Sequence, residues 1–253
     1  MDVALAFAVL IFPILMVFAR IGTFVMVMPA LSASFVSARF RLALAMALSV
    51  ALAPVIPTTP APVPLDVGGL VPILAGEMII GLFMGLVSRS LLHALSMAGQ
   101  IIGQSIGLSN IFMLPGMGDE VASALSSLFA VTGMVIFLVT DLHHLAIQAA
   151  AASFKTLPIG EAVEIGLLAE RLAGTLQYSV TLAAALSAPF LVLGFLFYLA
   201  VGLINRMMMS LPVFFISLPL ALGGGIAVLM VLTGAIFSRF AQGMRDGILL
   251  FGP

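Results

Sequence analysis

LAGTLQYSVTLAAALSAPFLVLGFLFYLAVGLIN at residues 172–205 and MMMSLPVFFISLPLALGGGIAVLMVLTGAIFS at 207–238 are two uncharged runs separated by the single cation Arg206. As helices, their 34 and 32 residues reach about 50 Å each at about 1.5 Å per residue, against about 30 Å of bilayer hydrocarbon. Runs of that length must kink, tilt strongly or leave the bilayer. Pro189 in the first, and Pro212, Pro219 and Gly223-Gly224-Gly225 in the second, supply places to kink. Asn205 and Arg206 then stand at the tip of a helical hairpin.

The rest of the chain has the same character. Of 253 residues, 63% are hydrophobic and 8% charged, where a soluble domain carries about 25% charged residues, so a water-soluble globule is excluded. Nine Lys and Arg against ten Asp and Glu leave no basic surface for nucleic acid, which is not expected as a partner. Absence of Cys removes disulfides and thiolate chemistry. The opening VALAFAVLIFPILMVFA at 3–19 has neither a positive flank nor a small-residue cleavage site, so the first segment is expected to remain in the mature protein. Its 11 Val, Leu, Ile and Phe contribute about −3 to −7 kcal/mol on the insertion scale, enough for one helix to carry Arg20, whose cost near a helix centre is about 2.5–3.5 kcal/mol. The length allows about six spans.

Pro and Gly mark the connections. Pro29 precedes the polar stretch SASFVSARFR, and Pro54, Pro57, Pro60, Pro62 and Pro64 make 54–66 an extended linker. Asp141 to Arg171, the other polar stretch, reads as a helical continuation followed by a loop at Leu157-Pro158-Ile159-Gly160. Arg39 and Arg41 after the first span, Asp66 after the second and Arg89 after the third put the N-terminus outside the cytoplasm. Arg206 agrees with that orientation, whereas Arg239 and Arg245 oppose it.

Few residues offer chemistry. Asp141, His143 and His144 are the one acid and histidine cluster, but neighbouring histidines on a helix face apart and no second cluster completes a ligand set, so no metal is expected. Arg20 and Glu77 lie inside apolar runs, where ionisable groups are functional candidates by default; structural pairing is the expectation, and His93 is likewise expected to be a packed polar group. No nucleophile elbow, zinc helix or phosphate loop is present, and no catalytic residue or cofactor is expected.

GQIIGQSIGLSNIFMLPGMGDE at 99–120 is more informative. Gly99, Gly103 and Gly107 sit four apart and form one smooth helix face for close packing, as do Gly81 and Gly85. Leu108 to Gly118 then has too much Pro and Gly to stay helical, yet carries no charge. Such backbone at membrane depth survives only buried in protein or lining a cavity, so a pore-occluding loop competes with a plain buried one. Met113, Met117 and Met207-Met208-Met209 offer deformable side chains for a seal, or simply fill a core.

AGQIIGQSIGLSN at 98–110, His143 followed by SFKTLPIG at 153–160, and LAVGLINRMMMSLPVFFISLPL at 199–220 resemble the FliR family of type III export-gate subunits, as do Arg20, Pro29 and Arg39-x-Arg41. The resemblance covers nearly the whole chain. It implies an all-α integral membrane protein with kinked, tilted helices in a helical hetero-oligomer. Residues 1–172 would be FliP-like and 173–253 a FliQ-like helical hairpin and tail. It also implies a non-catalytic conduit for unfolded flagellar proteins in the bacterial inner membrane at the flagellar basal body, with FliP, FliQ, FlhB and FlhA as partners besides lipid. The family's plug falls on 107–120, that is on Leu108, Ser109, Asn110, Ile111, Phe112, Met113, Leu114, Pro115, Gly116 and Met117. Leu114 stands where relatives often carry an acid, and Asp141-Leu142 replaces the family's Asn-Gly. An injectisome subunit is the near alternative; a secondary transporter using Arg20, Glu77 and His93 is the distant one.

Overall fold

The computed structural model describes residues 11–29, 31, 36–56, 67–108, 118–207 and 213–251. Seven helices occupy them: α1 (Phe12–Val27), α2 (Ala38–Leu52), α3 (Val67–Ser105), α4 (Gly118–Val139), α5 (Leu142–Thr156), α6 (Ile165–Met207) and α7 (Val213–Phe251). No strand occurs among the described residues. In apolar surroundings a helix satisfies its own backbone, and the plentiful hydroxyls do the same by bonding one turn back. Ser49 donates to the Ala45 carbonyl at 2.7 Å, Ser88 to Met84 at 3.2 Å, Ser105 to Ile101 at 2.8 Å and Ser187 to Ala183 at 2.9 Å. These serines therefore stay in apolar helices at little cost.

Gly68–Ser105, Ile165–Met207 and Ile216–Leu250 are long and apolar enough to cross a membrane; Ala124–Val139 with Leu142–Thr156 makes a fourth if the pair is one broken span. The chain is an all-α membrane protein. Among the described residues this is fewer than the six spans the length allows, because the runs on either side of Arg89 fuse into the single 39-residue α3 with Arg89 exposed on it. Pro72, Pro189 and Pro219 lie inside continuous helices. The expected helical continuation at Asp141 is interrupted instead: Asp141 has φ 57° and α5 starts afresh after it. The loop after α5 runs from Leu157 through Glu164.

Two compact units divide the chain. The first comprises residues 1–91, 137–177 and 245–253. Its core buries Met16, Val17, Ile21, Phe24 and Val25 of α1, Ile80, Phe83 and Met84 of α3, and Ala146, Ala150 and Phe154 of α5. Gly247 gives way to the side chain of Leu91, 2.6 Å from where a Cβ would stand. An apolar cleft of about 380 Å³ lies among Phe18, Thr23, Leu42, Ala45, Leu74 and Leu82, on α1, α2 and α3.

The second unit comprises residues 92–136 and 178–244. Within it α6 and α7 run antiparallel: the Tyr178 hydroxyl donates to the Gly243 carbonyl at 3.1 Å, while farther along Leu193 and Phe197 face Leu220 and Val228 across a cleft. Ser126 of α4 donates to the Ser96 carbonyl of α3 at 2.9 Å, and Phe129 meets Phe237 edge-on at 5.6 Å. Asn205 and Arg206 lie exposed in the last turn of α6, with Met207 85% exposed after them. They stand at the end of α6, and residues 208–212, between α6 and α7, lie outside the described residues.

Gly202 sits on α6 with open space around it, nothing lying within 4 Å of where a Cβ would stand. Gly202→Ala is expected to stabilise the purified full chain by about 0.5–1 kcal/mol, because the glycine costs helix entropy and gives no contact in return. A rise in detergent melting temperature checks this.

Candidate functional site

Arg20 and Glu77, the two charges inside apolar runs, meet in the first unit. Arg20 Nε donates to Glu77 Oε2 at 2.7 Å, and the residues are 0% and 2% exposed. One Nη of Arg20 donates to Ser153 Oγ at 3.1 Å and the other to the Leu157 carbonyl at 2.9 Å. The guanidinium carbon lies 4.0 Å from the centre of the Phe154 ring. The Ser153 hydroxyl in turn donates to the Ala150 carbonyl at 2.7 Å, and Glu77 Oε1 accepts from the Gly160 N–H at 3.4 Å. Every part of the planar cation has a partner: fork to carboxylate, hydroxyl and carbonyl, and face to aromatic ring.

Close backbone approach makes this geometry possible. A Cβ on Gly81 would overlap the Arg20 carbonyl oxygen and Thr23 Oγ1, and one on Gly85 would stand 2.7 Å from Val27 Cβ. These two glycines let α1 lie directly on α3, which brings Arg20 within reach of Glu77, one helical turn before Gly81. Gly160, at φ 86°, turns the chain so that its N–H reaches Glu77. The result clamps α1, α3 and the loop after α5 together, with both charges neutralised internally. Both charges are buried and engaged, so the network fastens these elements to one another.

In the second unit, the end of α3 is seated against the α6–α7 hairpin. A Cβ on Gly99 would meet Phe129 Cβ at 3.0 Å, one on Gly194 would meet the Ser105 carbonyl oxygen at 2.9 Å, and one on Gly225 would overlap the Ile106 side chain. Gly103 is buried; Gly107, at φ 76°, lies beyond the end of α3 and turns the chain out of the helix. A cleft of about 490 Å³ opens beside this point, lined by Ser105, Ile106, Leu193, Leu220 and Gly224. Leu108, which begins the expected plug, is half-buried here. Ser109, Asn110, Ile111, Phe112, Met113, Leu114, Pro115, Gly116 and Met117 lie outside the described residues, and α4 begins at Gly118, inside the expected 107–120 loop.

Other expectations change. His93 is exposed on α3 rather than packed inside. His143 and His144 do not face apart: their ring centres are 4.0 Å from one another, and His144 Nδ1 lies 3.1 Å from Asp141 Oδ1. The left-handed backbone at Asp141 curls that side chain back over the first turn of α5. Sequence reading missed Gly194, and read Gly225 as a kink with its two neighbours. Only Gly225 of the three receives another residue, whereas Gly223 and Gly224 face open space. The one available signal was its four-residue multiple from other small positions, too common to single it out.

The sequence profile of the bacterial export proteins, family 1, matches residues 11–247. The chain is similar to the flagellar biosynthetic protein FliR of Caulobacter vibrioides, 32% identical over 248 residues, covering 98% of this chain and 99% of that one. It is 30% identical to the FliR of Aquifex aeolicus, over 94% of this chain and 92% of that one. With the FliR of Escherichia coli the identity is 32%, over 87% and 82%.

Proposed function

The chain belongs to the bacterial export proteins, family 1, and from that premise we propose that it is a membrane component of the flagellar export apparatus, forming part of the conduit for unfolded proteins. The injectisome reading is not favoured, since the matched relatives carry flagellar names. One observation carries the conduit reading. Helices α6 and α7, with 43 and 39 residues, are about 65 and 58 Å long, roughly twice the hydrocarbon thickness. They nonetheless expose Leu191, Phe195, Leu199, Ile216, Met230 and Val231 along their length. Lipid covers only about half of such a helix, so the remainder needs apolar protein neighbours. FliP- and FliQ-type subunits supply them in this reading, with FlhB and FlhA adjoining, in the bacterial inner membrane at the flagellar basal body.

In the same reading, residues 1–172 form the FliP-like part and 173–253 the FliQ-like hairpin. The subunit is non-catalytic; the buried, fully engaged Arg20–Glu77 pair acts as a fastening rather than a proton carrier. Leu108 to Gly118 closes the pore, anchored where Ile106 enters Gly225 and the Ser105 carbonyl meets Gly194. Native mass spectrometry of the complex, extracted with a tag on this chain, is expected to show two further species of FliP-like and FliQ-like mass. A monomer or homo-oligomer in several mild detergents would overturn the assembly. Deleting residues 108–118 is expected to raise small-solute leak through the complex in cells, and an unchanged leak would sink the plug assignment.

A further inference from the structure

We propose that Asp141, His143 and His144 form a binding site for a divalent transition-metal ion of the zinc, cobalt or nickel type. A carboxylate oxygen of Asp141 and one ring nitrogen of each histidine lie within 4.8 Å of one another. Asp141 is the one non-glycine residue with positive φ among those described, at φ 57° and ψ 18°, and it makes no side-chain cap to α5. That backbone conformation is costly for most side chains, and here it delivers the carboxylate to the two imidazoles rather than to the helix end. The histidine rings are tilted 36° to each other at 4.0 Å, close enough for one ion to serve both.

A second observation comes from the His143 ring itself. Its Nδ1 is buried and has no hydrogen-bond partner, an acceptor or donor that the protein itself leaves unused. The Asp141 and His144 side chains, by contrast, are 75% and 63% exposed, so an ion can arrive from solvent. In a tetrahedral site with metal bonds of about 2.0–2.1 Å, ligand atoms stand about 3.3 Å apart. The three groups therefore close by about 1.5 Å at most, a rotamer adjustment that two exposed side chains make freely. Two imidazoles with one carboxylate suit zinc, cobalt and nickel, whereas calcium and magnesium call for all-oxygen sets. Three protein ligands leave one position for water. An ion held this way ties the left-handed residue to the first turn of α5.

The test uses the untruncated chain purified in detergent with an affinity tag free of histidine. Zinc content after dialysis is read by elemental mass spectrometry, and cobalt(II) substitution by its visible absorption. About one ion per chain and an intense tetrahedral cobalt band are expected. His144→Ala and Asp141→Asn are expected to weaken binding about tenfold or more, with the melting temperature without metal unchanged because both side chains face solvent and asparagine tolerates the left-handed backbone as aspartate does. His93→Ala, remote in sequence, is expected to bind as the parent does. No retained zinc in the parent, or equal zinc in His144→Ala, overturns the site and leaves Asp141 and His144 as a solvent-facing hydrogen bond.

Discussion

Glu77→Ala is expected to destabilise the chain by about 3–5 kcal/mol, because it strands the Arg20 guanidinium, 0% exposed, without its counter-charge. The remaining partners are neutral: Ser153 Oγ, the Leu157 carbonyl and the Phe154 ring stabilise a cation but do not cancel it. Arg20→Ala produces the converse stranded carboxylate, held only by the long Gly160 N–H contact at 3.4 Å. Replacing both together, as Arg20→Met with Glu77→Leu, removes the two desolvated charges at once. That pair is expected to be markedly more stable than either single charge removal, since apolar replacement of a buried ion pair is often neutral. Detergent melting of the full chain and its steady-state level in membranes read the difference. A Glu77→Ala chain that melts with the parent would show that Arg20 is not held by this carboxylate.

Gly81→Ala is expected to cost about 1–3 kcal/mol or more, the sign opposite to Gly202→Ala. An alanine in a helix normally gains about 0.5–1 kcal/mol over glycine. At Gly81 the added methyl would overlap the Arg20 carbonyl oxygen, which is backbone, and Thr23 Oγ1, which is tethered by bonds to the Ala19 and Arg20 carbonyls at 2.8 and 3.0 Å. Neither neighbour moves without shifting α1, and a shift of α1 lengthens the 2.7 Å Arg20–Glu77 bond. The two substitutions therefore act on one structure, and Gly81→Ala combined with Glu77→Ala is expected to cost less than the sum of the separate losses. Additive losses would mean that Gly81 packing and the clamp are independent.

The sequence makes the helical membrane character legible, because uncharged runs such as 172–205 and 207–238 are far longer than the roughly 9–11 residues of a barrel strand. The glycines four apart at 81 and 85 announce a close helix contact, but their spacing does not say which helix fills it; α1 does. Arg20 and Glu77 stand out as charges in apolar runs. Their partners do not, since Ser153, Leu157 and Gly160 are ordinary residues made specific only by three-dimensional convergence across 133 and 137 positions from Arg20 and 83 from Glu77. Asp141 shows the limit of periodicity most clearly. Reading on through it assumes helical φ, whereas its left-handed φ breaks the helix and turns the Asp141 carboxylate toward the His143 and His144 rings, which meet in the first turn of α5. A side chain able to adopt that conformation is visible in sequence; whether it does so is decided by neighbours that sequence order hides.

The Arg20 clamp also imposes an order on biosynthesis. Glu77 follows Arg20 by 57 residues and Leu157 by 137, so at about 5–20 residues per second the carboxylate emerges roughly 3–11 s after the guanidinium and the capping carbonyl roughly 7–27 s after it. Through that interval the nascent first helix carries an unmatched cation. It must wait at the translocon or the interface until α3 arrives, and its final seat is complete only when α5 and the following loop have been made. Nascent chains arrested before residue 77 should therefore hold Arg20 accessible to aqueous reagents, and those arrested late enough for residue 160 to have left the ribosome should not.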